Sequence, residues 1–519
     1  MATRLHAFKQ TCTSDSKANE AELCGIARGA GINFFGKIFS ALFQYVYLIV
    51  ISKILGASIL GGFLLGLTVV NFAALISRLG LDVGVIKFVA QYCACKDMER
   101  VKGVVTMALI ISGLAGVVIA LLVFCNATFL SDFFSGKPGF KQVIKVLSPT
   151  IPMISLMWIA LSATQGAKIM KYTTYAQHIT LPLVNLSAVL FLYWFGLRLD
   201  GVVAAFVISY ITVTLLSFAF LGRTFPLWQQ VQPIFDVKAL LSVSMPLFLV
   251  VFLNFGLLWT DTIMLGYFRS SAEVGIYNVV VKTALLISMI LTSFNAIFAP
   301  VISDLHSRNR LRRLESLFKT VTKWVLVISL PAFSIMTVLS NNILSLFGPD
   351  FVHGARSLEI LAFAQLVNAG VGSVGFMLAM TGRQQLVLLN TFMIFLVNVG
   401  LNYYLIPQYG MLGAATATGT ATILLNLLML IEVGLILRIT PFSSQFFKVL
   451  ALGAAVFMLM FMVKHFGPQL NSLFELVLYP VIFVCLFFWL FFRWGAGEDD
   501  ALILSMIKSK VPLIRSLSG

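Results

Sequence analysis

Apolar runs of eighteen residues or more succeed one another along almost the whole chain. A run of that length reads as a helix crossing a bilayer. Hydrocarbon offers no partner to an open backbone N–H or C=O, so the alternative would be a closed barrel. The ten-residue alternating pattern of barrel strands is missing. Composition agrees: the 519 residues are 59% hydrophobic and 11% charged, whereas soluble domains run about 45–50% apolar and about 25% charged. The fold class expected is therefore an all-α polytopic membrane protein.

About fourteen transmembrane helices are expected by length and hydropathy. They fall near 31–55, 59–89, 103–125, 143–165, 175–197, 201–222, 240–266, 273–300, 321–345, 357–380, 385–406, 411–436, 443–464 and 472–493. The connections are short and leave little room for a catalytic module outside the bilayer. Residues 1–28 mix Arg4, Lys9, Asp15, Lys17, Glu20, Glu22 and Arg28. They do not read as a cleavable signal peptide, so the first span is expected to act as its own insertion signal. With the N-terminus placed inside, basic residues in internal segments outnumber those in external ones roughly three to one, which puts both termini in the cytoplasm.

The net charge of +16 does not indicate nucleic acid, because the basic residues are scattered among short loops and form no single face. Six cysteines (Cys12, Cys24, Cys93, Cys95, Cys125, Cys485) give no paired framework, and Cys93–Cys95 lacks the second half of a zinc site. No metal site is expected.

An internal repeat organises the spans. Ile54-Leu55-Gly56 followed by Gly62 mirrors Met264-Leu265-Gly266 followed by Gly275. Gln165-Gly166-Ala167-Lys168 echoes Thr381-Gly382-Arg383, and Asp200-Gly201 before Ala204-Ala205 echoes Leu412-Gly413-Ala414-Ala415. The offset is about 210–216 residues, or six spans, which leaves both copies in the same orientation. The expected layout is an N-terminal segment (1–30), an N-lobe (31–222), a linker (223–239), a C-lobe (240–438), two extra C-terminal helices (439–494) and a cytoplasmic tail (495–519). The six-helix lobes would face each other across a central cavity.

Charges within the spans carry the chemistry. A charge at a helix centre costs about 2.5–3.5 kcal/mol on the insertion scale, so it needs water, a partner or a function. Asp261 and Lys282 should lie roughly 7 and 14 Å inside one membrane boundary. They read either as an ion pair joining two helices or as the lining of a polar path. In the first half, Lys37 should lie roughly 9 Å inside the cytoplasmic boundary, and Arg78, Asp82 and Lys87 follow along the second span. Arg78 and Asp82, four apart, read equally well as a local ion pair, and Lys87 as a residue snorkelling to the interface. Glu432 is expected beside Arg438 or lipid. The surplus of bases in the spans favours an anionic substrate and would repel organic cations. Asn295, Asn398, Asn402 and other polar residues in spans are expected mainly to join helices. Isolated histidines, the missing GxxxxGK[ST] loop and the missing nucleophile elbow leave no enzyme motif.

Four stretches resemble a known family: RLGLDVGVIKFVAQY (Arg78–Tyr92), WTDTIMLGYF…VGIYNVVVK (Trp259–Lys282), FAPVISDLH (Phe298–His306) and MTGRQQLVLLN…NYYLIPQYGMLGAATAT (Met380–Thr418). They are similar to the polysaccharide-biosynthesis flippases, O-antigen-type transporters of lipid-linked oligosaccharides. These belong to the multidrug/oligosaccharidyl-lipid/polysaccharide exporter superfamily. The resemblance covers residues 29–440. It implies a V-shaped pair of lobes, alternating access and an inner-membrane location. It also implies a polyprenyl-pyrophosphate-linked oligosaccharide as substrate, with membrane lipids and other polysaccharide-assembly membrane proteins as partners.

The expected function is thus a flippase moving an O-antigen, capsule or exopolysaccharide unit to the outer leaflet. Lys37, Arg78, Lys87 and Lys282 would meet the anionic head group, with Asp82 and Asp261 in coupling or gating. No cofactor is expected, and H+ or Na+ coupling is left open. The alternatives are a cation-coupled multidrug exporter and, from another class, a membrane glycan polymerase or ligase.

Overall fold

The computed structural model describes residues 2–134, 136–137, 139–225, 231–467 and 471–495. Side chains are described from residue 36 onward within those ranges, apart from Val250, Asn254 and Leu473. The described residues form helices joined by turns, with no strand among them. In order these are α1 (Ala2–Arg78), α2 (Leu81–Ala94), α3 (Met98–Cys125), α4 (Ala127–Phe133), α5 (Phe140–Leu147), α6 (Thr150–Gly166), α7 (Met170–Thr173), a π-helical segment (Thr174–Thr180), α8 (Leu181–Trp194), α9 (Leu199–Thr224) and α10 (Val237–Phe268). There follow α11 (Ser271–Ser307), α12 (Leu311–Val338), α13 (Ser340–Ser345), a 3-10 turn (Pro349–Gly354), α14 (Ala355–Val371), α15 (Val374–Met380), α16 (Gln384–Tyr409), α17 (Met411–Leu437), α18 (Ser444–Phe466) and α19 (Ser472–Leu490).

Ten of the described helices are long and apolar enough to cross a membrane, and thirteen if each of three bent pairs counts as one span. Gly36–Arg78 counts once among these, although its backbone leaves the helix at Gly56 (φ 70°, ψ 169°). That conformation is open essentially only to glycine, and it falls where the first two expected spans meet. The bent pairs are Phe140–Leu147 with Thr150–Gly166 (49°), Val237–Leu253 with Phe255–Phe268 (48°) and Pro349–Val371 with Val374–Met380 (45°).

The chain divides into two compact units, Met1–Gly275 and Ile276–Gly519, and the boundary falls inside the first turns of α11. In the first unit α6 packs against α2, α3 and α9, and α10 packs against α2. Their shared core includes Leu81, Val85, Val104, Ile159, Ala163 and Leu240. In the second unit α14 and α16 flank α17, and α12 packs against α14, α18 and α19. Leu326, Leu330, Val449, Val456, Phe483 and Phe487 form one core there, and Ile302, Phe318, Met377 and Val433 belong to another.

Left-handed residues close the helix ends, and they recur. Lys96 and Asn309 both have positive φ, as do Lys168 and Gly382, and Gly196 and Gly410. The first two pairs also share their closure. A backbone N–H one residue on reaches back five positions: Asp97 to Tyr92 (3.0 Å) and Arg310 to Leu305 (2.9 Å), then Ile169 to Thr164 (3.0 Å) and Arg383 to Leu378 (2.9 Å). This Schellman closure satisfies carbonyls that a helix end leaves open. Asp97, Asp236 and Ser443 do the same for N–H groups, capping α3, α10 and α18.

A polar latch holds α19. Glu475 is buried and takes the Lys464 ammonium of α18 and the Asn342 amide of α13 (2.6 Å). Asn342 also donates to the Ser472 hydroxyl at 3.1 Å.

At Gly80 (φ 71°) a Cβ would lie 2.3 Å from the Ser244 carbonyl of α10, whereas nothing lies within 4 Å of one at Gly434. Gly80→Ala should therefore cost at least about 1 kcal/mol from the backbone alone, with the overlap in addition. Gly434→Ala, inside α17 with room for the methyl, should be neutral to slightly stabilising. Thermal unfolding of the purified variants in detergent checks both, and equal melting points would contradict the packing at Gly80.

Candidate functional site

The charges in the spans fall into two groups. Arg78 and Asp82 are both buried and are brought together, with Arg78 Nη1 2.9 Å from Asp82 Oδ2. They straddle the break between α1 and α2, where Leu79 and Gly80 both have positive φ. Arg78 ends α1 and Asp82 lies in the first turn of α2. Each charge thus faces the helix pole that stabilises it, cation at a C-terminus and anion at an N-terminus. Arg78 Nε also donates to the Ala74 carbonyl (3.2 Å), and its guanidinium lies 4.9 Å over the Trp158 ring of α6. Asp82 Oδ1 accepts from the Val83 N–H at 3.0 Å. Here a charge pair clamps an interrupted span.

Lys37, Lys87 and Lys282 differ. Lys37 on α1 and Lys87 on α2 are exposed, and Lys282 on α11 is half-buried. None of the three has a hydrogen-bond or ion-pair partner among the described residues. Lys282 lies eleven residues beyond Ser271, the start of its helix, or roughly 16 Å along its axis. Its neighbours Asn278 and Thr283 are buried. Asp261, in the bent-off half of α10, is buried together with Thr262. Asp261 belongs to the first unit and Lys282 to the second.

Lys37 has company that the sequence reading missed. A Cβ at Gly36 would lie 2.2 Å from Thr174 Cγ2 and 3.5 Å from His178 Cβ, so glycine lets α1 lie against the π-helical segment. His178 is thereby carried beside the turn of α1 that bears Lys37. The signal was Pro182, at the start of α8. Proline lacks an N–H and crowds the carbonyl four residues back, here that of His178, and the preceding turn widens to accommodate it. Within the segment, Gln177 Nε2 is buried without a hydrogen-bond partner among the described residues.

Some other polar residues in the spans join helices: Asn398 of α16 donates to Thr418 of α17 (3.2 Å), and Ser373 donates to Asn295 of α11. Others bond within their own helix, Asn402 to Asn398 (3.1 Å), Asn71 to the Leu67 carbonyl and Asn426 to the Thr422 carbonyl. Glu432 takes Asn390 Nδ2 at 2.6 Å as its partner and makes no ion pair with Arg438. Of the two partners expected, Arg438 is corrected: it stands exposed on the left-handed C-cap six residues on, while the buried Asn390 amide of the neighbouring helix takes the carboxylate. Among the described residues no group of three or more His, Cys, Asp or Glu could hold a metal ion.

Many long apolar helices in two units describe a polytopic membrane fold, and solved structures agree. The chain matches the lipid II flippase MurJ, inward closed conformation, with a TM-score of 0.71 at 14% identity, over 88% of this chain and 98% of that one. It matches an inward-facing multidrug resistance MATE family transporter of the MOP superfamily with a TM-score of 0.66 at 16% identity, over 79% and 98%. Identities this low establish the fold alone.

Sequence decides the family. The profile described as "Polysaccharide biosynthesis protein" matches residues 26–306, more than half of the chain. The protein belongs to that family, and a second profile, MatE, matches residues 246–404. Among curated relatives, the uncharacterized membrane protein MJ1068 of Methanocaldococcus jannaschii is 22% identical over 65% of this chain and 70% of its own length. The probable flippase AglR of Haloferax volcanii is 26% identical over 43% of this chain and 47% of its own. The probable low-salt glycan biosynthesis flippase Agl15 of the same organism is 26% identical over 31% and 34%. The aligned parts thus cover about half of AglR and a third of Agl15.

Removing one partner of a buried ion pair strands the other charge at a cost of about 3–5 kcal/mol. Asp82→Asn or Arg78→Met should each lower stability by about that much, and the double variant by less than the sum. Melting curves of the three variants give the double-mutant cycle, and strict additivity would rule out the clamp.

Proposed function

We propose that this protein is a flippase that carries a polyprenyl-pyrophosphate-linked oligosaccharide from the cytoplasmic to the outer leaflet of the inner (plasma) membrane by alternating access. The observation that carries this reading is Lys282, a half-buried ammonium about eleven residues into its helix with no acid and no hydrogen-bond partner among the described residues. An uncompensated charge at that depth is costly and marks a substrate path. A pyrophosphate would compensate it. Lys37 and Lys87, exposed and also unpaired, would meet the same anion on its way in.

Arg78 and Asp82 would hold the second span in shape for this passage, and Asp261 would take part in coupling or gating. The family, and relatives described as probable flippases, support the same cargo class. The N- and C-lobes of the repeat would be the moving parts, with both termini cytoplasmic. The recurrence of left-handed turns at Lys96 and Asn309 and at Lys168 and Gly382 supports such a duplication.

A second reading, a cation-coupled multidrug exporter, is favoured by the MatE match over residues 246–404. It fits unpaired lysines poorly, because they repel organic cations.

Reconstituted in liposomes, the protein should move a lipid-linked oligosaccharide across the bilayer. Lys37→Glu, Lys87→Glu and Lys282→Glu should each slow it by roughly tenfold or more, since a like charge now faces the pyrophosphate. Their melting points should stay near that of the parent protein. Unchanged transport in all three variants, or transport of organic cations alone, would defeat the proposal.

A further inference from the structure

A cavity of about 360 Å³ opens between the start of α12 and the start of α18, lined by Arg312, Glu315, Ser316, Lys319, Thr320, Lys323 and Ser443 to Gln445. It lies wholly within the second unit, apart from the charges discussed so far. Arg312, Glu315 and Ser316, Lys319 and Thr320, and Lys323 recur every three or four residues, so they form one polar stripe along α12. Three bases line the cavity against one carboxylate. That carboxylate is already engaged, Glu315 Oε1 lying 2.6 Å from Lys319 Nζ.

Lys323 lies at the inner end of the stripe, only 2% exposed. A lysine near a membrane boundary ordinarily extends its flexible stem to bring the ammonium into water. This one is turned inward, with Nζ donating to Gln445 Oε1 at 2.8 Å. Gln445 belongs to the first turn of α18, whose N-terminus adds positive potential to the same space. Ser443 is occupied as the cap of that helix, accepting from the Phe446 N–H (3.2 Å), whereas Ser444 and Arg312 are exposed at the mouth. A buried cation, an exposed guanidinium, hydroxyls and a helix N-terminus together form a site for a tetrahedral oxyanion.

We propose that this cavity binds a phosphate group at the membrane surface, that of an anionic phospholipid head group. Leu311–Val338 and Ser444–Phe466 are both candidate membrane spans, and the cavity sits where both begin, at head-group level. There the phosphate would tie α18 to α12. The occupant would be part of the folded protein and not cargo, so the site stands or falls independently of what is transported.

The test uses the full-length protein purified in a neutral detergent. Its thermal unfolding is followed while phosphatidylglycerol, phosphatidylcholine or inorganic phosphate is added. Phosphatidylglycerol should raise the melting point and phosphatidylcholine should not. Arg312→Ala, at an exposed position, and Lys323→Met should each weaken the apparent affinity about tenfold, the loss expected for one charge-assisted contact to phosphate. Should Lys323→Met fail to fold, Arg312→Ala decides alone. Protection by phosphatidylglycerol supports the lipid, and protection by inorganic phosphate without phosphatidylglycerol would overturn it in favour of the free anion. Equal protection by phosphatidylcholine, or undiminished affinity in Arg312→Ala, would overturn the proposal.

Discussion

Hydrocarbon does not hydrogen-bond, so every helix in this protein must close its own backbone or find a partner for each open group. The interruptions are informative for that reason. At Leu79–Gly80 the clamp is ionic, through Arg78 and Asp82. At Lys96, Lys168, Asn309 and Gly382 it is a left-handed residue with a back-reaching N–H. Before Pro182 it is a widened turn. The breaks at Leu79–Gly80 and before Pro182 fall inside expected spans and leave there a charge pair and an unusual backbone conformation, which are the raw materials of a polar path.

The same constraint explains what could be read in advance. Helix class was legible because long apolar runs admit few other structures, whereas the count of fourteen was not, since ten described helices, or thirteen with the bent pairs, are long and apolar enough to cross. Gly56 was legible as a boundary, since glycine there separates two apolar runs. The break at Gly80 was not. Arg78 to Lys87 reads as a continuous helix, and the positive φ there together with the approach of Ser244 and Phe248 from α10 explains why a residue without a side chain is needed. The division after Gly275 was likewise hidden, because it depends on α10 packing against α2.

For the candidate site, residue types were legible and their condition was not. Sequence marks Arg78 and Lys282 alike as bases within spans. The structure separates them, one neutralised by Asp82 and braced by Trp158, the other without a partner among the described residues. That difference comes from neighbours close in space, and for Arg78 the Trp158 contact spans eighty positions of sequence. Asn390 beside Glu432 and Gln445 beside Lys323 make the same point, because each pairs residues from different helices.

The latch on the final helix also bears on biogenesis. Lys464 and Glu475 sit at the facing ends of α18 and α19, eleven positions apart, with the carboxylate buried. Left alone in hydrocarbon, either charge would be costly. Paired, they neutralise one another, and the Asn342 amide on α13 completes the shell of the carboxylate. The last two helices therefore become one docked object only once α13 has formed.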